Sequence, residues 1–138
     1  LRIEVQRRMG ARQVVRVMQE LILERGPPAL LRSDNGGEFA NRLLEQAMGR
    51  LDVDVALIAP GSPWQNGKNE RFNGILSQEH LSREEFGNLK EAQVLTASYQ
   101  RLYNEVRPHG SLQMQTPAAF AKEAKSQGRW FDPSHRND

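Results

Sequence analysis

No cysteine occurs among the 138 residues of this chain. That absence excludes disulfides, thiolate zinc sites and thiol nucleophiles. Aromatic residues are sparse at 7%, and no run of about 18 apolar residues exists, so nothing reads as a membrane span. The opening LRIEVQRRMG lacks the apolar centre of a secretory signal. A cytoplasmic protein without a membrane partner is the expectation. Net charge is nearly absent too, since 19 Lys+Arg face 17 Asp+Glu and leave +2. So weak a global field says little for nucleic acid. What is present is ordinary: 38% hydrophobic and 26% charged residues, in a length that suits one domain.

The charge is unevenly spread. Residues 1–51 hold nine Lys+Arg against six Asp+Glu, whereas residues 52–80 hold two against four. A basic flank beside an acidic patch suits phosphates approaching a carboxylate-held cation. Scattered charges on solvated helices produce the same count.

Hydrophobic periodicity predicts an alternating chain. LRIEV places Leu1, Ile3 and Val5 on one face, as a strand does. Val14, Val17, Met18, Leu21 and Ile22 recur at helical steps until Gly26 and two prolines stop them. Ala29–Leu31 reads as a short buried strand, and Phe39, Leu43, Ala47 and Leu51 form the stripe of a second helix. Val55–Ile58 is a continuous apolar run suited to a parallel strand. Ser62, Pro63 and Gln65 predict the start of a third helix, with Gly67 and Gly74 as weak points. Asn88 with Glu91 predicts the cap of a fourth, ended by Arg107-Pro108. Thr116-Pro117 caps a last helix to about Lys125, before a tail over 127–138. Such alternation argues for an α/β layer with parallel strands, whose ligands gather beyond the carboxyl ends of the strands.

Asp34 falls at such an end, and Gly36 and Gly37 after it remove side chains that would crowd a ligand. On a helical wheel over 63–81, Glu70 shares its face with Asn66, Asn73, Gly74 and Ser77, opposite Phe72, Ile75 and Leu76. A strand-end aspartate and a glutamate on a polar stripe are what a magnesium or manganese site needs. A solvated helix face would carry the same glutamate.

RSDNGGEF and, with thirty-five residues between Asp34 and Glu70, GSPWQNGKNERFNG resemble two motifs of the integrase-like DDE transposases. These are bacterial insertion-sequence enzymes related to retroviral integrases. LYNEVRPHGSL and TPAAF resemble the C-terminal part of the bacterial group, and the likeness spans about residues 1–122. The resemblance implies an α/β RNase H-like integrase catalytic core, here residues 1–126. It also implies a pair of Mg²⁺ or Mn²⁺ ions acting at a phosphodiester. By carry-over, Asp34 and Glu70 are catalytic metal ligands. Gln65 and Asn66 shape the active-site loop and contact DNA, while Lys68 and Arg71 bind its phosphates. The implied partners are insertion-sequence ends and target DNA, with a further copy or a full-length transposase.

The sequence departs from that pattern in several places. The family's first catalytic Asp and first two strands, of a five-stranded mixed sheet ordered 3-2-1-4-5, lie upstream of the LRIEV counterpart. An incomplete core, inactive alone, is therefore expected. Glu38 is the one nearby stand-in, one helical turn past Asp34, because Asp52 and Asp54 sit at the wrong end of their strand. Ser77 stands where the family carries a basic residue seven positions after its Glu, Ile75 where another is common, and Gln113 where a glycine often follows "SL". A lost phosphate contact would flatten the salt dependence of binding by about one unit of slope.

His80 and His135 have no companions at metal-ligand spacing, so packing or surface is expected of them. His109 follows a helix end and suits capping carbonyls or holding the turn. Trp64 stacks on a base or packs its loop, with packing the simpler role. Arg107 is a DNA contact or a helix-end charge. Three readings follow: a transposase-core fragment, a complete enzyme whose first part precedes Leu1, or a non-catalytic DNA-binding or dimerising module.

Overall fold

The computed structural model describes residues 1–59 and 67–128. It comprises two compact units, Arg8–Glu79 and a second made of Leu1–Arg7 with residues from His80 onward.

In the first unit, α1 spans Ala11–Arg25. Gly10 is its N-cap, and the Gln13 side chain accepts the Gly10 N–H at 3.3 Å. The helix stops at Gly26, which adopts φ 89°, a conformation costly for any residue with a Cβ, and the prolines prevent resumption. Strand β1, Leu30–Ser33, pairs in parallel with β2, Asp54–Leu57, in the register Leu30–Asp54 to Ser33–Leu57. Between them lies α2, Arg42–Gly49. The parallel pair and its helical crossover follow the alternation expected from sequence.

Val14, Leu44, Met48 and Val53 form the core of this unit, with Met18, Ile22, Leu31, Phe39 and Val55 packed around them. Leu31 and Val55 share a face of the strand pair, since register partners in a parallel ladder point the same way. The buried stripe of α2 is Leu44 and Met48, not the expected Leu43 and Leu51, which are exposed. The shift follows from the cap. Asn41 Oδ1 accepts the Leu44 N–H at 2.9 Å and Asn41 Nδ2 donates to the Glu38 carbonyl at 2.7 Å, so the helix begins at Arg42 and Glu38 lies outside it.

Helix α3, Gly67–Leu76, buries no side chain fully and runs through Gly74. It passes into a wider π-turn over Ser77–Leu81. The wheel drawn over 63–81 therefore holds only to Leu76, and Ser77 no longer follows Glu70 at α-helical spacing. The expected start at Ser62 and Pro63 lies outside the described residues.

In the second unit, α4 spans Leu89–Glu105 and α5 Pro117–Ser126. Asn88 Oδ1 accepts the Glu91 N–H at 3.0 Å, and the Glu91 carboxylate accepts the Gly87 N–H at 2.9 Å. Thr116 Oγ1 accepts the Ala119 N–H at 3.2 Å. Both caps match the sequence expectation.

LRIEV does not: no β-ladder includes it among the described residues. It runs along α4, held by side chains at seven- and four-residue spacing on one helix face. Gln93 Nε2 donates to Val5 O at 3.0 Å, Gln100 Oε1 accepts from Ile3 N at 2.6 Å, and Asn104 takes both N and O of Leu1 at 2.9 and 2.8 Å. A ladder needs a second strand, and here amide side chains provide the polar partners instead.

Candidate functional site

Asp34 is the residue immediately after β1, exposed at the strand's carboxyl end. Its Oδ1 accepts the Gly36 N–H at 3.1 Å, an Asx turn that reverses the chain within two residues. The neighbouring Asn35 donates from Nδ2 to the Ile58 carbonyl at 2.9 Å. Ile58 in turn donates its N–H to Ser33 O at 2.8 Å. The ends of β1 and β2 are thus bound together where Asp34 emerges.

The two glycines serve different purposes. A Cβ on Gly36 would lie 2.8 Å from Glu38 Oε1, so the Glu38 carboxylate would have to swing aside to admit one. At Gly37 a Cβ would meet nothing within 4 Å. Neither glycine is needed for a positive φ. Glu38, expected one helical turn beyond Asp34, reaches the turn through this fold-back rather than along a helix.

Glu70, Lys68 and Arg71 all stand exposed on α3, in the same unit as Asp34. Among the described residues none of the three makes a hydrogen bond or ion pair. At about 100° per residue, Lys68 and Arg71 are near neighbours on the helix surface, while Glu70 projects away from both. Cation and carboxylate functions would therefore use different sides of one helix. Gln65 and Asn66, like Trp64 and His135, lie outside the described residues. No direct bond joins Asp34 to Glu70. Carboxylate oxygens suit Mg²⁺ or Mn²⁺ in kind. Among the described residues, however, no three His, Asp or Glu side chains gather closely enough to hold a metal ion. The donor set fits in chemistry and falls short in number.

In the second unit, His80 and His109 join a run of aromatic contacts that sequence spacing alone does not reveal. His80 is buried, with Nε2 3.0 Å from Thr96 Oγ1. It stacks on Tyr99 at 4.9 Å and meets Phe86 edge-on at 5.7 Å. Tyr99 leads to Tyr103 at 6.2 Å, and Tyr103 to His109 at 4.6 Å. The Arg107 guanidinium lies 5.7 Å from the Tyr103 ring centroid, and His109 Nε2 is 3.4 Å from the Tyr103 carbonyl in the last turn of α4. Packing for His80 and carbonyl capping for His109 match the reading of the residues. The i, i+4 pair Tyr99 and Tyr103 was the available signal for the stack.

Known proteins extend this picture. Residues 51–117 match the family described as Integrase core domain. The chain is 37% identical over 114 residues to the uncharacterized 39.2 kDa protein of insertion element IS476 from Xanthomonas euvesicatoria, covering 83% of this chain and 33% of the relative. It is 35% identical over 113 residues to the uncharacterized 31.7 kDa protein of insertion element IS407 from Burkholderia multivorans, covering 82% and 41% respectively. A chain in the cryo-EM structure of the simian T-cell lymphotropic virus intasome, in complex with PP2A regulatory subunit B56 gamma, superposes with a TM-score of 0.59 at 20% identity. That match covers 75% of this chain and 37% of the other, and it supports an α/β RNase H-like fold. The chain belongs with the integrase core domain proteins of bacterial insertion elements. It spans about a third to two-fifths of the length of these two curated relatives.

Proposed function

We propose that the chain is part of a DDE transposase catalytic core, residues 1–126, acting on insertion-sequence ends and target DNA. Asp34 and Glu70 are two of its three metal-binding carboxylates, and these 138 residues alone do not join DNA strands. The observation that carries the reading is Asp34 itself, exposed at the carboxyl end of one of two parallel strands and oriented by its own turn. Strand ends of this kind are where α/β sheets bind their ligands.

When bound, Mg²⁺ or Mn²⁺ supplies a charged clamp on the oxygens of the displaced phosphodiester. The chain's own residues do the rest. Asp34 engages one oxygen in the Gly36 turn, which orients the carboxylate, and Glu70 offers an uncommitted carboxylate from α3. Lys68 and Arg71 supply fixed positive charge for phosphates, and Gln65 and Asn66 contact the DNA. A second copy or a full-length transposase is the protein partner, and the cytoplasm is where the chain meets DNA.

Two measurements on the 138-residue chain test this. Mn²⁺ binding followed by electron paramagnetic resonance weakens in Asp34→Asn and in Glu70→Gln; unchanged affinity in both rejects them as ligands. Labelled insertion-sequence ends incubated with Mg²⁺ yield no joined product, and a joined product would overturn the claim of inactivity.

A second reading, a non-catalytic DNA-binding or dimerising module, is favoured by the shortfall in metal donors among the described residues. Gel shifts with non-specific duplex at low salt test it, and absence of any shift removes the DNA-binding form.

A further inference from the structure

We infer that Arg12 and Arg42, with Arg8 beside them, form a flank next to Asp34 that grips DNA phosphates. This inference rests on the DNA reading above and adds residues that the family motifs do not reach. Its basis is the direction in which two helices run. Helix α1 enters β1 through only residues 26–29, while its Val14 is buried with Leu44 and Met48 of α2. A helix folded back so abruptly onto its strand runs against it. Helix α2 leaves the Asp34 loop and returns into β2, which is parallel to β1, so it runs against the strands as well. Both helices therefore begin at the end of the unit where β1 delivers Asp34, and both finish at the opposite end.

Charge is arranged along that direction. Arg8 precedes α1, Arg12 lies in its first turn, and Arg42 is the first residue of α2. All three are exposed, and none has a carboxylate partner among the described residues. Arg12 and Arg16 are like charges at i, i+4, a spacing that disfavours an isolated helix. Glu20 approaches Arg16 at 3.7 Å, and among the described residues no corresponding acid meets Arg12. Asp34, Glu38 and Glu45 belong to the same end, so the field there is mixed. Carboxylates are available for a cation, and guanidinium forks for the phosphate oxygens that a cation-bound strand would bring. Arg25 and Arg50 close the same two helices at the far end and provide a charge-matched control.

The test is binding of a fluorescein-labelled duplex of arbitrary sequence to the full chain between about 50 and 200 mM salt, the range in which phosphate contacts are lost. Arg12→Ala/Arg42→Ala should flatten the log–log salt slope by about two units, since each phosphate contact contributes about 0.9. Arg25→Ala/Arg50→Ala should leave the slope unchanged. Arg12→Lys/Arg42→Lys should retain it, because charge is preserved, and circular dichroism checks that every variant folds. An unchanged slope in the Arg12/Arg42 alanine variant, or equal flattening by both alanine pairs, overturns the inference and leaves the DNA reading intact. No binding by the unsubstituted chain at low salt overturns that reading, and this inference with it.

Discussion

Asn35 binds Ile58: its side-chain amide donates to the Ile58 carbonyl at 2.9 Å, across 23 positions of sequence. This bond, with Ile58 N–H to Ser33 O at 2.8 Å, holds the carboxyl ends of two parallel strands together beside the candidate catalytic aspartate. Replacing Asn35 with Ala should destabilise the chain by about 1 kcal/mol in urea titration, the usual net worth of one hydrogen bond. Asn35→Asp should cost more, because a carboxylate would then face a carbonyl oxygen. Equal stability of Asn35→Asp and the unsubstituted chain would deny the bond.

Gln113 adopts φ 54° and Met114 φ 63°, consecutive left-handed residues in the loop between α4 and α5. Left-handed backbone costs a residue with a Cβ roughly 1–2 kcal/mol, partly offset by the greater flexibility of glycine in the unfolded chain. Gln113→Gly is therefore expected to stabilise by about 0.5–1 kcal/mol. A β-branched Gln113→Val should do the reverse. Midpoints of thermal unfolding compare the three proteins directly.

His80 and Thr96 form a buried polar pair at 3.0 Å, pressed between Tyr99 and Phe86. His80→Ala removes the ring and strands the threonine hydroxyl, so a loss of about 3 kcal/mol is expected. Thr96→Val leaves one imidazole nitrogen without its partner, at about 1–3 kcal/mol. Because the two share one contact, His80→Phe with Thr96→Val should cost less than the sum of the singles in a double-mutant cycle. Strict additivity would mean that the pair is not coupled.

Features legible in the sequence share a short range. The caps at Asn88 and Thr116 could be read because a side chain bonds a backbone N–H three residues away, an interaction that any helix start would make. Gly26 and the prolines stop α1 for equally local reasons. Asp34 at a strand end could be read as well, since a short apolar run ending in an aspartate and two glycines has few other uses. The stripe of α2 holds at Phe39 and Ala47, which pack against the core, but Leu44 and Met48 are buried where Leu43 and Leu51 were expected. Leu43 and Leu51 are as apolar as Leu44 and Met48, and only the Asn41 cap and the surrounding packing decide which pair turns inward.

Composition, periodicity and turn chemistry alone thus determined where α1 stops, where α4 and α5 start, and that β1 and β2 would be parallel. Tertiary structure decided what depends on a distant partner. It laid LRIEV against Gln93, Gln100 and Asn104 rather than in a ladder, gathered isolated histidines onto tyrosines of α4, and brought Asn35 to Ile58. A local rule acts between neighbours whose separation the backbone dictates. Contacts across many residues exist only once the chain has closed on itself, and their energies compete with every other way of closing it.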